Sequence, residues 1–100
     1  MNNITFEELL NSMDFTILHP SATRDEIENH CAVAKEYDFK RVFVSPYYVS
    51  LAAKLLNDTD IVVGTTVGFP FGHELTSVKS YECEKNIENG ARWWNFFFGL

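Results

Sequence analysis

A chain of 100 residues is one domain, and a small one. With 46% apolar and 22% charged residues it has the material for a packed core and is not composed like a disordered segment. Eight Lys and Arg against fourteen Asp and Glu leave a net charge of −6, which argues against nucleic acid or an anionic membrane as the main partner.

Taken in chain order, Thr5-Phe6-Glu7-Glu8 has capping-box spacing and opens a short helix through about Ser12. Met13 to Leu18 reads as a strand, stopped by His19-Pro20. A second capping box, Thr23 to Glu26, starts a helix to about Tyr37, with Ile27, Cys31, Val33 and Ala34 near one face. Arg41 to Ser45 is a short β-rich run, Pro46 follows it, and Tyr48 to Leu56 form the next helix. Asn57 to Asp60 is a turn. Ile61 to Val67 is an almost continuous β-branched strand that suits a parallel sheet buried on both faces. The loop Gly68-Phe69-Pro70-Phe71-Gly72 leads to a helix from about Thr76 to Asn89, closed by Gly90 at a C-cap position. Ala91 to Leu100 carry the aromatic run Trp93-Trp94-Asn95-Phe96-Phe97-Phe98.

Strands alternating with helices at this spacing imply right-handed crossovers and a parallel sheet. Two architectures satisfy the pattern: a small doubly wound sheet, or the first half of a (β/α)8 barrel. No linker or low-complexity tract divides residues 1–100. No apolar run reaches the roughly 18–20 residues of a membrane span, and the N-terminus lacks the basic start and apolar stretch of a signal peptide. With two distant cysteines, Cys31 and Cys83, too few for a disulfide framework, a soluble cytoplasmic protein is expected.

Asp14 is the first candidate for chemistry, because a carboxylate within an apolar strand is costly unless paired. It is either a group at the C-terminal side of a sheet or a solvent-facing strand start. The Gly68–Gly72 loop falls on the ligand side of any parallel α/β fold, yet it matches neither the P-loop nor the dinucleotide pattern. His19, His30 and His73 are scattered and define no metal site, with His30 expected on a helix surface. Cys31 and Cys83 are expected to pack as small apolar groups. No nucleophile elbow is present. Lys35, Lys40, Lys54, Lys79 and Lys85 all fall on helices or turns among polar residues, where solvated ammonium groups are expected rather than a desolvated nucleophilic amine.

Met13-Asp14-Phe15-Thr16-Ile17-Leu18 followed by Pro20 resembles the opening strand of the deoxyribose-phosphate aldolases. The likeness continues in register through Cys31–Ala34, Val42–Tyr48, the Thr66-Val67-Gly68-Phe69-Pro70-Phe71-Gly72 signature, Thr76, Lys79, Glu82 and Asn89-Gly90-Ala91, covering nearly residues 13 to 91. It implies the N-terminal half of a TIM (β/α)8 barrel, preceded by a short helix and cut after about the fourth strand. It also implies class I, Schiff-base cleavage of 2-deoxyribose 5-phosphate into glyceraldehyde 3-phosphate and acetaldehyde in deoxynucleoside catabolism. No metal or cofactor is implied, and the partner is a small phosphorylated sugar. Carried over residue by residue, Asp14 belongs to the catalytic network, and Thr16 and Leu18 line the acetaldehyde end of the pocket. Asn95 stands where the family has its relay aspartate, and an amide has no carboxyl proton to exchange. Phe43 replaces a cysteine common in the family.

The family's Schiff-base lysine and phosphate loops come from later strands, and such a barrel needs about 250 residues. The expectation is therefore a chain inactive alone, with self-association through exposed strand edges. The competing expectations are half of a split aldolase completed by a second chain, and a non-catalytic α/β ligand-binding module.

Overall fold

The computed structural model describes residues 3–96. Helix α1 (Phe6–Ser12) precedes strand β1 (Asp14–Ile17), followed by α2 (Arg24–Tyr37), β2 (Arg41–Val44), a 3-10 turn at Pro46–Tyr48, α3 (Val49–Leu55), β3 (Val62–Val67), α4 (Thr76–Glu88) and β4 (Trp93–Phe96). All three strand pairs are parallel and lie side by side in chain order, β1-β2-β3-β4. A doubly wound sheet must reverse its strand order somewhere, whereas right-handed crossovers in unbroken order put every helix on one face. The sheet is therefore half of a (β/α)8 barrel.

Local chemistry sets the element ends. At α2, the Thr23 hydroxyl accepts from Glu26 N at 3.2 Å while the Glu26 carboxylate accepts from Thr23 N at 3.3 Å, a complete capping box. At α1 the Thr5 hydroxyl caps Glu8 N at 3.1 Å. Asp38 ends α2 in the left-handed conformation. After α4, Gly90 sits at φ 111°, and a Cβ there would lie 2.7 Å from the Ala53 Cβ, so both conformation and crowding require glycine.

Strand alternation sorts the side chains by face. Val42, Val44 and Val63 point to the helices and join Ile27, Cys31, Ala34, Val49, Ala52 and Leu56 in the buried core, with Phe15 and Ile17 packed against it. The opposite, inner face carries Asp14 and Thr16 from β1, Arg41 and Phe43 from β2, Gly64 and Thr66 from β3, and Trp93 and Asn95 from β4, all matched by register. The Phe43 ring packs against Gly64 and is 2% exposed.

His30 departs from the helix-surface expectation. Its ring stacks on Phe15 at 3.9 Å, and Phe15 stacks in turn on Phe39 at 4.4 Å. Its Nε2 lies 2.9 Å from the Phe15 carbonyl oxygen, tying the edge strand to α2. Burial holds its pKa below the usual histidine value, against a smaller opposing effect of the Phe15 carbonyl. The unfolded chain thus binds more protons than the folded one between the lowered value and about 6.5. The His30 contribution is complete above about pH 6.5 and is lost as pH falls through the lowered pKa. Urea midpoints are expected to drop between pH 7 and pH 5 by more in the native chain than in His30→Gln; equal slopes would contradict this.

Candidate functional site

The C-terminal ends of the four strands open onto one side of the sheet, where ligands of parallel barrels bind. There a cleft of about 460 Å³ lies between Leu18 and Pro20 after β1, Ser45 and Pro46 after β2, Thr66, Phe69 and Pro70 at the end of β3, and Glu82 from α4. Its walls are mostly apolar, with two hydroxyls and one carboxylate among them.

One face of α4 fixes the loop that forms this mouth. Lys79, Glu82 and Asn86, at helical spacing, lie on a single stripe. Lys79 Nζ donates to the Gly72 carbonyl at 2.9 Å, Glu82 Oε1 accepts from Gly68 N at 2.8 Å, and Asn86 Nδ2 donates to the Thr66 carbonyl at 3.1 Å. Lys79 is 9% exposed and Asn86 2% exposed, so Lys79 is not the solvated ammonium expected of it. Gly68 and Gly72 both have positive φ, and the Phe69–Pro70 peptide is cis. Lys79 and Glu82 were singled out from the sequence only through the family likeness, and Asn86 not at all, because a helix carrying Lys, Glu and Asn reads as a wet face. The available signal was their spacing opposite a glycine-rich loop whose backbone groups need partners.

Leu18 lines the cleft. Thr16 lies one step lower on the inner face, exposed, with its hydroxyl donating to its neighbour's carbonyl, that of Asp14, at 2.8 Å. Asp14 does not sit unpaired in an apolar strand. It starts β1, half-exposed, with Oδ1 accepting from Arg41 Nε at 2.6 Å. The Arg41 guanidinium also lies 4.9 Å over the Trp93 ring, so the pair forms a polar floor across the inner face. Asn95 is exposed and registers beside Thr66 on β4. Asp14 and Asn95 therefore share the inner face but stand on opposite edge strands, three spacings of about 4.8 Å apart. No hydrogen bond joins them among the described residues. His19 pairs with Glu26 and Ser21, and His73 stacks on Phe71. Cys31 is buried, its thiol pushed up to about 11 by desolvation, and Cys83 is partly exposed. Among the described residues no group of three or more His, Cys, Asp or Glu could hold a metal ion, and no helix is long and apolar enough to cross a membrane.

Thr66 opens the signature run of the family likeness, but the sequence assigned it no role. It is 2% exposed and its Oγ1 has no hydrogen-bond partner. A buried hydroxyl left unsatisfied costs about 1–3 kcal/mol. Thr66→Val, which keeps the shape, is expected to raise Tm by about 5 °C in thermal unfolding followed by circular dichroism. A lowered Tm would mean that the hydroxyl makes a stabilising contact.

Unbroken parallel strand order, helices on one face and a cleft at the strand ends define the first half of a TIM-type barrel. No family model matches the chain. Individual relatives do: it is 43% identical over 88 residues to a deoxyribose-phosphate aldolase of Natranaerobius thermophilus, covering 88% of this chain and 40% of the relative. Among solved structures it superposes on a tetrameric deoxyribose phosphate aldolase from Aeropyrum pernix with TM-score 0.88 and 28% identity, over 94% of this chain and 40% of that one. A structure from Coccidioides immitis assigned to the same enzyme class gives TM-score 0.86 and 38% identity, over 88% and 35% of the two chains. The chain belongs to the deoxyribose-phosphate aldolase family and corresponds to the N-terminal half of its barrel. It spans well under half the length of these relatives.

Proposed function

We propose that this half-barrel supplies one wall of an aldolase pocket for 2-deoxyribose 5-phosphate and does not itself perform the carbon–carbon cleavage. Leu18, Phe69 and Pro70 form the apolar end that receives the two-carbon fragment. Thr16 lines the wall below them. Asp14, anchored by Arg41, is the acidic group of the network, and Asn95 holds the relay position without an exchangeable proton. The setting is soluble, cytoplasmic deoxynucleotide breakdown, and the chain self-associates through its strand edges.

The observation that carries this reading is the position of the amines. A class I aldolase forms a bond between a neutral lysine nitrogen and the substrate carbonyl carbon, with loss of water, and the resulting iminium accepts the electrons of the breaking bond. That nitrogen has to stand on the inner wall. Lys35 pairs with Asp58, Lys85 pairs with Glu88, and Lys79 donates to Gly72 behind the loop. Lys54 lies on α3, outside the sheet, and Lys40 precedes β2. None of the five is on a strand.

The test is reductive trapping. The purified chain is incubated with 2-deoxyribose 5-phosphate or acetaldehyde, treated with borohydride and weighed by mass spectrometry. No stoichiometric adduct is expected. A single adduct per chain on one lysine, or turnover in the absence of host aldolase, would overturn the proposal.

A further inference from the structure

β1 and β4 are the edge strands of the described sheet, and large apolar side chains lie exposed beside each of them. Beside β1, helix α1 has no buried residue, and Ile4, Phe6, Leu9 and Met13 are 69%, 69%, 45% and 39% exposed. On β4, Trp93 and Trp94 are 48% and 37% exposed. An unpaired edge also presents a row of backbone donors and acceptors. β1 and β4 run in the same direction, so the β4 edge of one chain can extend as a parallel sheet only onto the β1 edge of another. If that step happens twice about a two-fold axis, eight strands close and no edge remains.

We propose that a second copy of this chain is the occupant, giving a two-fold symmetric eight-stranded barrel in which Asn95 of each copy lies beside Asp14 of the other. This deepens the self-association put forward above and rests on the half-barrel reading. The register follows from the pairs already present. One row of the sheet runs Thr16–Phe43–Gly64–Trp93, so the row through Asp14 and Arg41 meets the β4 chain at position 91. A closed eight-stranded barrel of this kind has a stagger of about eight residues, hence about four per half. Four residues beyond position 91 is Asn95. The stagger already present has this sign, since β4 begins level with Thr16, two residues above the start of β1.

Three features suit that register. An even step keeps inner faces with inner faces, so Asn95 meets Asp14 inside the barrel. The Asp14 carboxylate gives Oδ1 to Arg41 and has its second oxygen to accept an Asn95 amide proton. A carboxylate at position 95 would instead set two like charges one strand spacing apart, whereas the amide removes that repulsion. Outside the barrel, α1 of the second copy arrives beside β4, bringing Phe6 and Leu9 towards Trp94, so the two exposed apolar groups cover each other. Each contact occurs twice.

The experiment has two arms. Light scattering on the eluted native chain is expected to give twice the 11.5 kDa of one chain; a monomer, or open-ended larger assemblies, would overturn the proposal. For the register, Asp14→Cys and Asn95→Cys are made separately with Cys83→Ser, mixed, and oxidised. Neighbouring parallel strands place Cα atoms within the range a disulfide spans. The mixture is expected to give a covalent dimer, each variant alone none, and the combined variant a dimer with no ladder above it. Cross-linking of Asp14→Cys alone or Asn95→Cys alone would mean like edges pair, and would overturn the register. Either failure leaves the trapping result of the previous section untouched, so the two readings fall separately.

Discussion

Ile27→Ala is expected to remove most of the chain's stability, the largest loss from any single truncation considered. Ile27 is fully buried and contributes its side chain to the cluster that includes Cys31, Ala34, Val42 and Val44 between α2 and the sheet. Removing three buried carbons forfeits their transfer free energy and leaves a cavity, together about 3–4 kcal/mol. A domain of this length has about 5–15 kcal/mol in total, and one with two open edges lies at the low end. Urea unfolding followed by circular dichroism should show the midpoint fall to well under half of its native value. Val78→Ala, at a half-exposed position on α4, is the control and should move ΔG by about 0.5 kcal/mol or less. An Ile27→Ala chain that unfolds with a native-like midpoint would mean that α2 does not hold the core.

Gly64→Ala should be the second most damaging change, and its damage should vanish in a smaller-ringed background. In the middle of a strand, alanine is ordinarily favoured over glycine by about 0.5–1 kcal/mol. Here the added carbon would stand 2.5, 2.7 and 2.8 Å from three atoms of the Phe43 ring. That ring is buried, so it has no solvent to swing into, and the overlap should cost about 2–3 kcal/mol net. In Phe43→Val the same substitution should be neutral or slightly stabilising. A double-mutant cycle with a coupling of about 2 kcal/mol or more is the expected result. Additive effects would show that the strands part instead of the ring resisting. The residue at position 43 therefore decides what β3 can carry opposite it, which is the structural meaning of finding phenylalanine there.

Much of the fold could be read directly from the residues. The Thr23–Glu26 box appears with both of its hydrogen bonds, and the strands fall within a residue or two of their expected ends. The choice between doubly wound and barrel architecture could not be made by alternation alone, because both alternate; it needed the strand order. Boundaries shifted where a proline redirected the chain, as at Pro46–Tyr48, which forms a 3-10 turn ahead of α3. The site was less legible. Leu18 reaches the cleft because strand parity carries it there. His30 was misplaced because its partner, Phe15, comes from a strand 15 residues earlier, and helical periodicity has no knowledge of it. Lys79 was misread, and Asn86 passed over, because what buries them is the demand of backbone carbonyls at Gly72 and Thr66. The orphaned hydroxyl of Thr66 leaves no trace in a pattern where threonine is simply a good strand former. Asp14 and Asn95 were named together, but four strands place them at opposite margins. Phe97 and Phe98, expected in the aromatic run, lie outside the described residues.

The three side-chain ties between α4 and the Gly68–Gly72 segment have a mechanical corollary. With Gly72, Gly68 and Thr66 each gripped from one stripe of the helix, helix and loop have to travel as one rigid lever. Any widening of the mouth to admit a bulky molecule must then be taken up at the far end of that lever, where Gly90 turns the backbone into the fourth strand against Ala53.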